Sequence, residues 1–92
     1  MIRTFAHKGL ERFYDTGSRA GIQSSHAAKL RLLLGHLDAA VNETDMAFPG
    51  SGLHRLKGSL AGHFAVRVSG AWRVTFRMRD GDAIDLNYVQ YH

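Results

Sequence analysis

Between Ala27 and Val41 the apolar residues Ala27, Leu30, Leu33, Leu34, Leu37 and Val41 recur every three or four positions, the period of a helix that buries one stripe. Ser24 or Ser25 is placed to cap it. Lys29, Arg31, His36 and Asp38 fall off the stripe and read as its solvated face. Upstream, Ile2 to Phe5 predicts a short strand. His7 to Asp15 predicts a short helix with Leu10, Phe13 and Tyr14 on its buried side and Gly17 as its stop. Asn42 to Gly52, which carries Pro49-Gly50-Ser51-Gly52, reads as the loop that divides a helical half from a strand half.

Past that loop the period changes to two. Phe64, Val66 and Val68 point one way, with Trp72, Val74, Phe76 and Met78, while His63, Arg67, Arg73, Thr75 and Arg77 point the other. Opposed residues of antiparallel strands share a face, so Val68 should oppose Trp72 across a three-residue loop, Ser69-Gly70-Ala71, and Arg67 should face Arg73. Asp80-Gly81 marks the next turn. A two-residue loop there would set Ile84, Leu86 and Tyr88 against the arginines, so the pattern favours an odd loop, Asp80 to Asp82. That pairs Phe76 with Leu86, Val74 with Tyr88 and Arg77 with Asp85. The polar face then collects His63, Arg67, Arg73 and Tyr91, with His54 and Lys57 entering from the preceding segment. The architecture expected is α+β: an N-terminal strand and two helices packed on a small, mainly antiparallel sheet, residues 1–92 forming one domain.

Composition narrows what such a face meets. Twelve Lys+Arg against eight Asp+Glu give a formal charge of +4, which favours a polyanion. The absence of cysteine excludes disulfide and thiol chemistry, and neither a signal peptide nor an 18-residue apolar run is visible, so a cytoplasmic protein without a membrane contact is expected. The six histidines, His7, His26, His36, His54, His63 and His92, show no short paired ligand spacing and no carboxylate or cysteine companions, so neither metal nor other cofactor is expected.

Arg67 opposite Arg73 needs a reason, since like charges across a strand pair destabilise it. A bound phosphate supplies one; splaying into solvent, or pairing with Asp82 or Asp85, supplies another. Histidines, a lysine, arginines and a tyrosine are the parts needed to cleave RNA without a metal. The ribose 2′-OH attacks the adjacent phosphate, a base takes its proton, cations neutralise the phosphoryl oxygens and an acid protonates the departing 5′-oxygen. His54 and His92 form the candidate acid–base pair with the order open, Arg73 and Lys57 the candidate charge stabilisers, and Tyr91 a group that stacks on a base or orients the phosphate. Arg67, His63 and Arg77 are the remaining candidate phosphate contacts. His92, directly after a predicted strand, puts an imidazole and a terminal carboxylate at the sheet edge.

Lys8-Gly9-Leu10, Leu53-His54-Arg55-Leu56-Lys57-Gly58, Trp72-Arg73-Val74-Thr75-Phe76, Asp80-Gly81-Asp82-Ala83 and the closing Tyr91-His92 together resemble the HigB toxins of the RelE/ParE superfamily. The resemblance spans the whole chain. It implies the RelE-like fold and the toxin role of a type II toxin–antitoxin pair: an endoribonuclease that enters the ribosomal A site and cuts messenger RNA during translation. It also implies a helix-turn-helix antitoxin of the HigA type, through which alone promoter DNA is reached. His54, Lys57, Arg73, Tyr91 and His92 match positions where such toxins keep catalytic or RNA-contacting residues. Two departures stand out: Gln90 replaces the acidic residue that commonly precedes Tyr-His, and His63-Phe64 stands where the family often has Tyr-Trp. Gln90 can hydrogen-bond but cannot accept a proton or pair ionically. Two other functions stay open: a ParE-like gyrase poison without nuclease residues, and a non-catalytic RNA- or promoter-binding module.

Overall fold

The computed structural model describes residues 1–91, so the role expected of His92 lies outside the described residues. Helix α1 spans Lys8–Thr16 and α2 Ala27–Ala39; strands β1 (His54–Arg55), β2 (Phe64–Ser69), β3 (Trp72–Arg79) and β4 (Asp82–Gln90) form an antiparallel meander in that order. The N-terminal segment runs parallel to β4, touching it through bridges Ile2–Ala83 and Phe5–Leu86. The strand expected over Ile2 to Phe5 is thus two isolated bridges, extended by hydrogen bonds such as Ala6 N–H to the Leu86 carbonyl at 2.7 Å.

Helix α1 starts where the His7 imidazole Nδ1 accepts the Leu10 N–H at 3.0 Å, and it stops at Gly17, whose φ of 79° is costly for any residue with a Cβ. In α2 Leu30, Leu33, Leu34 and Leu37 are buried as the spacing predicts. Neither serine caps it: a 3₁₀ turn over Ser24–His26 feeds straight into the helix. Val41 leaves the expected stripe and is 64% exposed, because the helix ends at Ala39 and the extended Ala40 takes the buried place. Tyr14 is also largely exposed, its ring 5.6 Å from that of Phe5. The loop expected over Asn42 to Gly52 contains one turn of 3₁₀ helix, Glu43–Met46, closed by Asn42 and Asp45 capping each other's backbone, and its Met46 is buried.

The helices cover one face of the sheet, burying Val66, Val74, Phe76, Leu86 and Tyr88 against Leu10, Phe13, Leu30, Leu33, Leu37 and Met46. Each such large side chain contributes about 1.5–3 kcal/mol. The register differs from expectation in the same way at both hairpins. Arg67 does face Arg73, but Ser69 pairs with Trp72, leaving a two-residue Gly70-Ala71 turn and an unpaired Val68. Val74 does oppose Tyr88, but Arg77 pairs with Ile84 and Arg79 with Asp82. The second turn is therefore Asp80-Gly81, with φ of 52° and 81°, the geometry of a type I′ turn. The extra residue is taken up inside β4: Asp85 and Leu86 together oppose Phe76, a β-bulge with Asp85 at φ 55°.

Burial holds the His7 pKa below its ordinary value near 6.5, and only the neutral ring accepts the Leu10 N–H. A depressed histidine contributes stability that is complete above pH 6.5 and is lost as pH falls below it. His7→Ser keeps a cap of about 1 kcal/mol without the titration. In thermal melts across pH 5 to 8, wild type and His7→Ser should therefore differ by a constant above about pH 7, with wild type losing ground below it.

Candidate functional site

The face turned away from the helices is built in rows across the strands. His54, Ala65, Thr75 and Asn87 form one row, and Arg67, Arg73 and Val89 the next; Arg77 pairs with Ile84 further along, with His63 in line just before β2 begins. Ala65 and Thr75 are buried although no helix covers them, so the middle of the face is a floor of small side chains within a rim of longer ones.

Three expected residues meet here. His54 is exposed, and its Nδ1 lies 3.3 Å from the Gly52 carbonyl. A carbonyl only accepts, so in this contact Nδ1 is the donor. Arg67 is exposed; its backbone N–H donates to the Ser51 carbonyl at 2.7 Å, and its guanidinium lies along Gly52, where a Cβ would stand 3.8 Å from Cζ. Arg73 is half-buried and turns its guanidinium onto the carbonyls of Gly70 and, at 2.9 Å, Trp72. The two guanidiniums leave their shared row in different directions. Ladder spacing puts the His54 and Arg73 backbones about 12 Å apart, a span both side chains can close from either side.

The other candidates lie further out. Arg77 is tied to Asp85 at 3.3 Å, the partner expected, although its strand neighbour is Ile84. His63 is half-buried, with Nδ1 3.2 Å from the Leu60 carbonyl. Lys57 is exposed on the β1–β2 connection, where it precedes a 3₁₀ turn. Tyr91 continues the line of β4, its N–H donating to the Ala71 carbonyl at 2.8 Å. Strand alternation turns it to the arginine face, and its hydroxyl is buried without a hydrogen-bond partner among the described residues. Gln90 lies opposite Trp72 and so on the helix side. It does not occupy the arginine face, where a partner for an imidazolium or guanidinium would have to stand. Among the described residues no three His, Asp or Glu side chains are grouped to hold a metal ion, and no helix is long and apolar enough to cross a membrane.

The expected pairing of Val74 with Tyr88 already set Asn87 opposite Thr75, as the structure has it; what sequence reasoning missed is the burial of Ala65 and Thr75, and the bulge. The signal for the bulge was present in Asp80-Gly81: with a two-residue turn there, Leu86 and Tyr88 reach the core only if one extra residue is taken up between the turn and Leu86.

A meander of four strands with two helices on one side is the α+β architecture expected from the sequence. Residues 3–92 match the family described as RelE-like toxin of type II toxin-antitoxin system HigB, and the chain belongs to it. It is 34% identical to the protein named Endoribonuclease HigB from Proteus vulgaris over 92 residues, the full length of both. The fold is similar to a chain of the YoeB-YefM complex from Staphylococcus aureus, with a TM-score of 0.63 at 16% identity, covering 100% of this chain and 98% of that one.

The paired arginines yield a test of the face's electrostatics. Arg67→Gln should raise stability at low salt by about 0.2–1 kcal/mol in urea melts, as expected for removing one of two opposed like charges. The gain should shrink toward zero at 1 M salt, where the Debye length is about 3 Å.

Proposed function

We propose that this protein is an endoribonuclease that cleaves messenger RNA in the ribosomal A site and thereby inhibits translation, as the toxin of a type II pair. The observation that carries the reading is the open face of the sheet that His54 shares with the opposed Arg67 and Arg73. Family membership and the relative named as an endoribonuclease support it.

In this reading His54 Nε2 is the base. It takes the proton of the 2′-OH, whose oxygen bonds to phosphorus while the bond to the 5′-oxygen breaks; His92 returns a proton to that oxygen. This order is the one that suits an Nδ1–H donated to the Gly52 carbonyl, since the neutral ring then has Nε2 free to take a proton. Arg73, already oriented by two carbonyls, and Lys57 stabilise the charge on the phosphoryl oxygens. Tyr91 orients the phosphate or stacks on a base, and Arg67, His63 and Arg77 hold neighbouring phosphates. No metal or cofactor takes part. A HigA-type helix-turn-helix antitoxin is the neutralising partner, and promoter DNA is reached through it; the compartment is the bacterial cytoplasm. An open face with few catalytic groups gains most from a ribosome that holds the message in line, since orientation supplies roughly 7–11 kcal/mol of a barrier.

Primer extension on translated messages tests this. Wild type should produce new 5′ ends at ribosome-occupied codons and leave naked RNA intact. His54→Ala should lower cleavage by roughly 10²–10⁴-fold, as for loss of one proton-transfer group. Arg73→Lys should fall short as well, because a point charge cannot span the carbonyls and a phosphate as a planar fork does. Growth arrest without new 5′ ends would overturn the reading in favour of a gyrase poison.

A further inference from the structure

On the helix side of the sheet, where β4 ends, a crevice of about 570 Å³ lies between the 20–23 loop and the strand edge, lined chiefly by His7, Gly21, Gln23, Trp72, Tyr88 and Gln90. Pockets of this size hold small organic molecules. Its wall is aromatic and fixed. Trp72 stacks on Tyr88 with centroids 4.6 Å apart, and His7 and His26 set their edges against Tyr88 at 5.5 and 5.9 Å. The Tyr88 hydroxyl is 2.6 Å from the buried His26 Nδ1 and accepts the Gln23 N–H at 3.4 Å. The opposite wall is held by backbone contact: a Cβ on Gly9 would come within 2.7 Å of the Gly21 Cα, so the loop is seated against α1.

The strand edge adds polar groups. The N-terminal segment covers β4 only as far as Leu86. Tyr91 N–H bonds inward to Ala71, so two-residue alternation turns the main-chain groups of Tyr88 and Gln90 outward. The Tyr88 N–H is taken by the Asn87 side chain at 2.9 Å. That leaves the Tyr88 carbonyl and the Gln90 N–H as an acceptor and a donor side by side. No lysine, arginine or carboxylate lines the crevice among the described residues. Gln90 and Gln23 contribute neutral amides, each able both to donate and to accept.

We propose that this crevice is a nucleobase subsite, in which a planar heterocycle packs on Trp72, which the buried Tyr88 backs, and bonds to the Gln90 amide and the β4 edge. Aromatic walls take any base by its face, and neutral donor–acceptor pairs read its edge. The inference rests on the proposed RNA cleavage in one respect: the base would belong to the message, turned round the β4 edge at Tyr91 while its phosphates cross the arginine face. A free nucleoside presents the same chemistry. The free edge spans only Tyr88 to Gln90, shorter than the usual strand of five or six residues, which disfavours a docked peptide strand. Gln90 acquires a purpose here, because a carboxylate at that position would oppose the acceptor atoms of a base and repel its phosphate.

Trp72 is the sole tryptophan, so its fluorescence reports directly on the crevice. Adenosine, guanosine, cytidine and uridine are titrated separately, beside inorganic phosphate, a short single-stranded RNA and an unrelated extended peptide. At least one nucleoside should change the emission saturably. Gln90→Glu, at an exposed position that tolerates it, should weaken that response at least tenfold, and Arg73→Ala should leave it unchanged. RNA should give the same response more tightly, and phosphate or peptide alone none. A saturable response to no nucleoside, one indifferent to Gln90→Glu, or one reproduced by phosphate or by peptide would each overturn the proposal. Because nucleosides are not cleaved, these outcomes are independent of primer extension, which judges the nuclease reading on its own.

Discussion

Strand parity is the constraint on which the rest of this molecule depends. In β4 the residues before the bulge and those after it would lie on opposite faces if the chain were regular. The left-handed Asp85, with φ 55°, shifts the phase by one residue, so that Ala83, Leu86 and Tyr88 all reach the core. A non-glycine residue in that conformation carries strain, which aspartate tolerates better than most. Here local bonds offset it: Asp85 N–H donates to the Thr4 hydroxyl at 2.8 Å, and its carboxylate receives Arg77. The placement of Asn87, Val89 and Tyr91 on one face and of Gln90 on the other follows from that single residue.

Two unlike surfaces result, back to back on one thin sheet. One gathers cations and histidines over a floor of small side chains and has few hydrogen-bond partners of its own. The other is neutral, aromatic and tightly partnered, with Tyr88 held by two histidines and a backbone amide. Burial pushes the Tyr88 hydroxyl pKa up and so keeps it neutral beside His26. The cationic side is fitted to a partner that brings its own negative charge. The neutral side suits a flat uncharged group.

Much of this was legible in the residues themselves. The leucine stripe of α2, the alternation of β2 and β3 and the confrontation of Arg67 with Arg73 follow from periods of 3.6 and 2, which local sequence dictates. The polar face, and with it Arg73, followed from the same alternation, with His54 entering from the preceding segment. Turn length did not, because parity can be satisfied either in a loop or in a strand; both hairpins chose the strand, with Val68 and Asp85 absorbing the extra residue. The exposure of Val41 was hidden because periodicity continues in letters past the point where the backbone leaves the helix. Gln90 was given no face, for another reason. A family pattern gives the order of side chains along the chain, and only the register says which face each one takes.

The N-terminal bridges to β4 also bear on the order of events during synthesis. Ile2 pairs with Ala83 and Phe5 with Leu86, so this segment waits for partners made about 80 residues later. At typical elongation rates of 5–20 residues per second, about 80 residues separate them by roughly 4–16 s. Until then the segment has no sheet to join, and the helices it precedes must hold their leucines with only part of the sheet's cover. Contacts of such long range also slow folding after release. The two surfaces of β4 therefore come into being together and late, when these distant segments meet.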